Sequence, residues 1–122
     1  MITTEISRLV EGACRKETNF YGYGAWSYHF VPVVKNSLIL AGKLGADQEI
    51  VELAALLHDY ASVIDKDLYP EHHLHSARLA GEVLKSFQYP EEKIVKIQRC
   101  ILNHRSSLKS QRETIEEKIL AD

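Results

Sequence analysis

Cysteine is scarce: Cys14 and Cys100 are the only two in 122 residues, in dissimilar contexts and without the spacing of a zinc motif. That argues against a disulfide framework or a thiolate cluster and leads us to expect a reduced, cytoplasmic setting. No apolar run approaches the roughly 18 residues of a membrane span, and no basic start with an apolar block follows Met1. Neither a membrane nor an export route is therefore expected. Excess charge is also lacking. The net charge is -2 and Lys and Arg gather on no segment, which argues against a nucleic-acid polymer as partner but leaves room for one small phosphate. Strand-period alternation, internal repeats and low-complexity tracts do not occur. What is present, 45% hydrophobic and 26% charged residues, is ordinary for one globular domain spanning 1–122, large enough to bury a core without staples.

Helical spacing dominates. Ile6, Leu9, Val10 and Ala13 predict an amphipathic helix from Ile2 to about Lys16, followed by a glycine- and aromatic-rich loop, Thr18 to Gly24, packed by its own rings. A second helix is expected from about Ala25–Ser27 to Leu44, with Gly45 as its C-cap and Pro32 tolerated only because it falls within the first turn or so. Asp47 caps a third helix whose apolar residues run nearly all the way round, the mark of a buried central helix. After Ala61 a polar loop ending at Pro70 is expected, then helices over about Glu71–Ser86 and Pro90–Asn103. Thr114-Ile115-Glu116-Glu117 has the capping-box pattern of a sixth. The fold class is all-α, a bundle of five or six helices.

The third helix ends in Leu56-Leu57-His58-Asp59. An imidazole and a carboxylate side by side at a helix C-terminus, where carbonyls favour a cation, supply half of a metal site. Neighbouring residues diverge by roughly 100° on a helix, so further ligands must come from other helices. The remaining histidines are His29, His72, His73, His75 and His104. A lone histidine more often has a satisfied structural role; several that converge point to a metal.

The order His29, then His58-Asp59, then a distant Asp122 resembles the HD superfamily of metal-dependent phosphohydrolases, over roughly Trp26 to Asp122. The segments Leu57-His58-Asp59-Tyr60-Ala61-Ser62, His72-His73-Leu74-His75-Ser76-Ala77 and Leu102-Asn103-His104-Arg105 are similar to small stand-alone members of that group. The resemblance implies that His29, His58, Asp59 and Asp122 hold a divalent ion. Mixed nitrogen and oxygen ligands suit manganese, iron, cobalt, nickel or zinc better than calcium. It also implies that His72 and His104 act on substrate, with Arg105, Lys66 and His73 as candidates for its phosphate. Helical phase favours His73 over His72 for the inward position, whereas the family pattern selects His72. His104 shares a face with Ile94, Ile97 and Ile101.

Two departures stand out. Many relatives carry glycine and lysine where this chain has Ala61-Ser62, and the family's Leu-Ala-Asp-Ala-Asp stretch is represented by Leu120-Ala121-Asp122 alone. Either Asp122 is the last ligand or that ligand lies beyond it. The implied activity is hydrolysis of a small phosphoester, a nucleotide above all. A catalytically inactive HD-type module that binds a nucleotide or a partner is the alternative, and a helical interaction protein with coincidental histidines is a third.

Overall fold

The structure, a computed structural model, describes residues 1–17, 19–22, 24–104 and 114–120. Arg105 and Asp122 lie outside the described residues. Among the described residues seven α-helices follow one another: α1 (Ile2–Cys14), α2 (Val31–Leu44), α3 (Gln48–Leu57), α4 (Tyr60–Ile64), α5 (His72–Ser86), α6 (Glu91–Leu102) and α7 (Ile115–Ile119). No strand occurs among the described residues, and no described helix is long and apolar enough to cross a membrane.

Local chemistry sets the helix limits. Asp47 accepts the Ile50 N–H at 3.1 Å and starts α3. Gly45, at φ 71°, closes α2 in the left-handed conformation that a Cβ would disfavour. Thr114 accepts the Glu117 N–H at 3.1 Å and opens α7. Pro32 stands at the second position of α2, and the turn before it, Trp26–Phe30, is wound as a π-helix in which the Val31 N–H reaches back to the Trp26 carbonyl. Pro32 has no N–H to offer the Tyr28 carbonyl, so an ordinary α-turn could not be completed there.

The third helix is central, as its all-round apolar pattern predicts. Ile50, Val51, Leu53, Ala54, Ala55, Leu56 and Leu57 are all buried, and α1, α2 and α6 pack around them. The second layer is α5 against α6, joined to α4, while α7 closes over α2 and α6. The stretch after Ala61 differs from the expected loop. Tyr60, Ala61, Ser62 and Val63 are buried in the one-turn helix α4, and Lys66–Glu71 forms a 3₁₀ helix with Pro70 inside it. The cause is burial of the first segment and an Asp65 cap on the second, whose carboxylate accepts the Asp67 N–H at 2.9 Å. Pro70 costs little in so short a helix, where many N–H groups have no intrahelical partner anyway.

Truncating the centre of this packing should be expensive. Leu53→Ala is expected to lower unfolding free energy by about 2 to 5 kcal/mol through the cavity it leaves. The exposed Val95→Ala should change it by less than about 0.5 kcal/mol. Urea melts of both variants check this, and equal effects would make α3 peripheral.

Candidate metal centre

Asp59 is the hub. It follows the end of α3 in a sharp turn (φ -115°, ψ 17°) that redirects the chain into α4, and it is buried. Its Oδ2 lies 2.7 Å from His29 Nε2 and 3.0 Å from His58 Nε2, while Oδ1 lies 3.1 Å from His72 Nε2. His104 completes the group, its ring 5.2 Å from that of His58 and 5.7 Å from that of His72. Two sets of potential ligand atoms share the carboxylate, His29/His58/Asp59 and Asp59/His72/His104, each with all members within 4.8 Å of one another.

Three of the rings are aimed in the same way. Each turns Nδ1 onto the backbone carbonyl three residues earlier: His58 onto Ala55 at 2.6 Å, His72 onto Tyr69 at 3.0 Å, and His104 onto Ile101. With Nδ1–H donating to a carbonyl, a neutral imidazole presents the Nε2 lone pair. For His58 and His72 that lone pair faces a carboxylate oxygen, an arrangement that repels unless something positive lies between. A proton on each ring is one solution. A metal ion is the other, and these donors, imidazole Nε2 and carboxylate oxygen, are the ones borderline divalent ions prefer. The residues fit such an ion.

Electrostatics agree. Burial alone would raise the Asp59 carboxyl, but the charge of His58 and hydrogen bonds from His29, His58 and His72 outweigh it and hold the group well below the ordinary carboxylate range. The hydrogen bond to Asp59 raises His72 above its ordinary value against the opposing effect of burial. Burial, and then the charge of Asp59, raise the phenol of the half-buried Tyr21. A cavity of about 200 Å³ adjoins His29 and His58, walled by Val33, Asn36, Ser37 and Leu40 of α2 and by Ile119 and Leu120. A larger apolar groove of about 350 Å³, lined by Trp26, Val34, Leu38 and Leu56 among others, contains none of the cluster residues.

His29, His58 and Asp59 are thus brought together. His72 faces Asp59, whereas His73 lies beside it, half-buried and edge-on to the His72 ring with centroids 6.3 Å apart. Helical phase misleads here because His72 is the first residue of α5, where the Tyr69 carbonyl aims the ring. Lys66 is exposed at the start of the 3₁₀ helix. Tyr21 and Tyr69 were not anticipated. The signal for Tyr21 was a loop unusually rich in rings immediately before the helix that carries His29, whereas Tyr69 lies in the 3₁₀ helix after α4, where no pattern of rings pointed to it.

A helical bundle with a buried histidine–aspartate cluster able to hold a divalent ion is the class that this fold and site define. The HD domain family profile matches residues 26–122, and the chain belongs to that family. An uncharacterised protein of Clostridium beijerinckii is 32% identical over 79 residues, 63% of this chain and 50% of its own length, so the chain spans about half of that relative. A crystal structure described as a predicted HD superfamily hydrolase, from an uncultured Thermotogales bacterium, superposes with TM-score 0.78 at 20% identity, covering 96% of this chain and 63% of the other. At that identity the likeness speaks for the fold.

The His72–Asp59 contact makes stability pH-dependent in chelator-treated protein. His72 is raised on folding, so its contribution is fully present below the unfolded histidine value, about 6.5, and is lost as pH climbs through the higher folded value. The melting temperature is expected to fall above about pH 6.5. His72→Gln should flatten that decline; an unchanged slope would show that other groups cause it.

Proposed function

We propose that the protein is a metal-dependent phosphohydrolase acting on a small phosphoester, with a nucleotide as the favoured class. The observation that carries this reading is the set of imidazole nitrogens facing one buried carboxylate across a gap that calls for positive charge. His29 and His58 would hold a divalent ion through Nε2 and Asp59 through a carboxylate oxygen, with Asp122 as the fourth ligand. The bound ion supplies a water of lowered pKa and a Lewis acid for a phosphoryl oxygen. His72, inclined to keep its proton by Asp59, serves as donor to phosphate or to the leaving oxygen. His104, its Nδ1 occupied by Ile101, turns Nε2 toward the same space and holds another phosphate oxygen. Lys66 and His73 are further candidates for binding the substrate phosphate, as is Arg105, which lies outside the described residues.

A binding module without turnover is the second reading. Ala61 and Ser62 are fully buried and place no cation beside the cluster at the position where many relatives have lysine.

The test combines metal content with rates on p-nitrophenyl phosphate and a nucleotide panel. His58→Ala or Asp59→Ala should lose the ion and bring the rate to background at every metal concentration. His104→Ala should keep the ion and cost about 2 to 4 kcal/mol in transition-state stabilisation, as loss of one donor to a developing negative charge does. Full activity in His104→Ala would remove that residue from the mechanism. Full activity in His58→Ala would end the hydrolase assignment, and bound metal without turnover in the unaltered protein would favour the binding module.

A further inference from the structure

The loop ahead of α2 holds one residue by both of its backbone polar groups. The Tyr21 N–H donates to Asn19 Oδ1 at 2.9 Å, and the Tyr28 hydroxyl donates to the Tyr21 carbonyl at 2.8 Å. Asn19 is buried and tied in turn, its Nδ2 donating to the Cys14 carbonyl at 3.0 Å and the Gly22 carbonyl at 2.9 Å. A further bond secures the loop to α4, where the Ser62 carbonyl accepts the Phe20 N–H at 2.9 Å. Loops are ordinarily the mobile part of a fold, and this one is fastened around Tyr21.

The phenol so placed reaches the cluster. Its ring is half-buried and 5.6 Å from that of His29, and its hydroxyl is turned to the Asp59 carboxylate as a hydrogen-bond donor. The Ser62 hydroxyl, wholly buried and otherwise unpartnered among the described residues, stands beside it. Edge-on contacts with Phe20 and Tyr69 set the plane of the Tyr21 ring. Phe20 stacks on Tyr69 and Tyr69 on His72, with centroids 3.9 and 5.3 Å apart. The rings of the loop thus lead to His29 directly and to His72 through Tyr69.

His29 and His58 meet the same carboxylate through Nε2, yet a divalent ion held by these rings would claim the Nε2 lone pairs, and a nitrogen bound to a metal has no proton to donate. His72, the third partner, is drawn to phosphate when substrate binds. Tyr21 has no such competing duty. A phenol keeps its proton at neutral pH, and each carboxylate oxygen has two lone pairs, so Asp59 can accept from Tyr21 while it faces an ion. We propose that Tyr21 is a positioning residue, its hydroxyl holding the Asp59 carboxylate in place for a divalent ion and so strengthening ion binding. The inference rests on the reading of the cluster as a metal centre. Tyr21 precedes the residues 26–122 that match the family profile, so that pattern gives it no part.

Tyr21→Phe removes the hydroxyl alone, because the ring contacts and both backbone bonds do not depend on it. Calorimetric titration of chelator-treated protein with manganese at neutral pH is expected to show binding about 10- to 100-fold weaker in this variant, the usual cost of losing a group that orients a metal ligand. The visible absorption of the cobalt-loaded protein should change with it, since those bands report how the ligands are arranged. Equal affinity in Tyr21→Phe and the unaltered protein overturns the proposal and leaves the metal centre standing. Weaker binding with an unchanged cobalt spectrum and a lowered melting temperature of the chelator-treated variant marks a structural role alone, and overturns it too. If the unaltered protein binds none of manganese, cobalt or zinc, the metal reading fails and the proposal falls with it.

Discussion

A carboxylate taken out of water must be compensated, and Asp59 sets that requirement for the whole molecule. An ionised acid in the interior is tolerable only when paired and hydrogen-bonded. Here the compensation arrives from three directions, since His29 precedes α2, His58 follows α3 and His72 begins α5, while His104, after α6, stands beside them. Removing α2, α3 or α5 would strip the acid of a partner. The bundle can thus be understood as the packing that brings three separated imidazoles to one oxygen pair.

Each residue of the cluster sits where regular helix is interrupted. His29 lies in a π-turn, His58 and Asp59 in the break between α3 and α4, His72 at the junction of a 3₁₀ helix with α5, and His104 just past the end of α6. At three of these interruptions a backbone carbonyl three residues earlier, that of Ala55, Tyr69 or Ile101, holds the Nδ1 of His58, His72 or His104. One local device, repeated three times, fixes tautomer and aim together. It also means that a metal ion must compete with protons for the Nε2 positions.

This explains which parts could be read in advance. The central role of α3 was legible because burial on every side leaves no polar stripe, and its start because Asp47 can cap in only one way. Gly45 and Thr114 were legible for the same local reason. The choice between His72 and His73 was not. Phase along a helix says where a side chain points once the helix is established, whereas the first residue is aimed by whatever precedes it. The segment from Tyr60 to Glu71 looked like a loop because its charges and Pro70 mask two short helices, too short to display a period. The aromatic loop was recognised as packed by its own rings. That those rings extend to His29 and His72 depended on tertiary placement, which spacing cannot supply.

The far end of the bundle shows how α7 is coupled to the same centre. Glu117 is 1% exposed and accepts from Arg99 Nε at 3.2 Å and Asn103 Nδ2 at 3.0 Å, while the Thr114 hydroxyl donates to it at 3.2 Å. The sequence pattern promised a reciprocal capping box, and the Thr114 half is present. The glutamate's carboxylate is instead engaged across the helix pair. An ionic contact with only its acid buried is weak evidence of net stability, but it penalises any other register of the two helices, because misplacement would leave that acid unpaired. Asn103 immediately precedes His104, and Leu120, on the same short segment as Glu117, lines the cavity beside His29 and His58. Fixing α7 on α6 therefore positions a wall of that cavity and a ring of the cluster as one unit, although Glu117 belongs to neither ligand set.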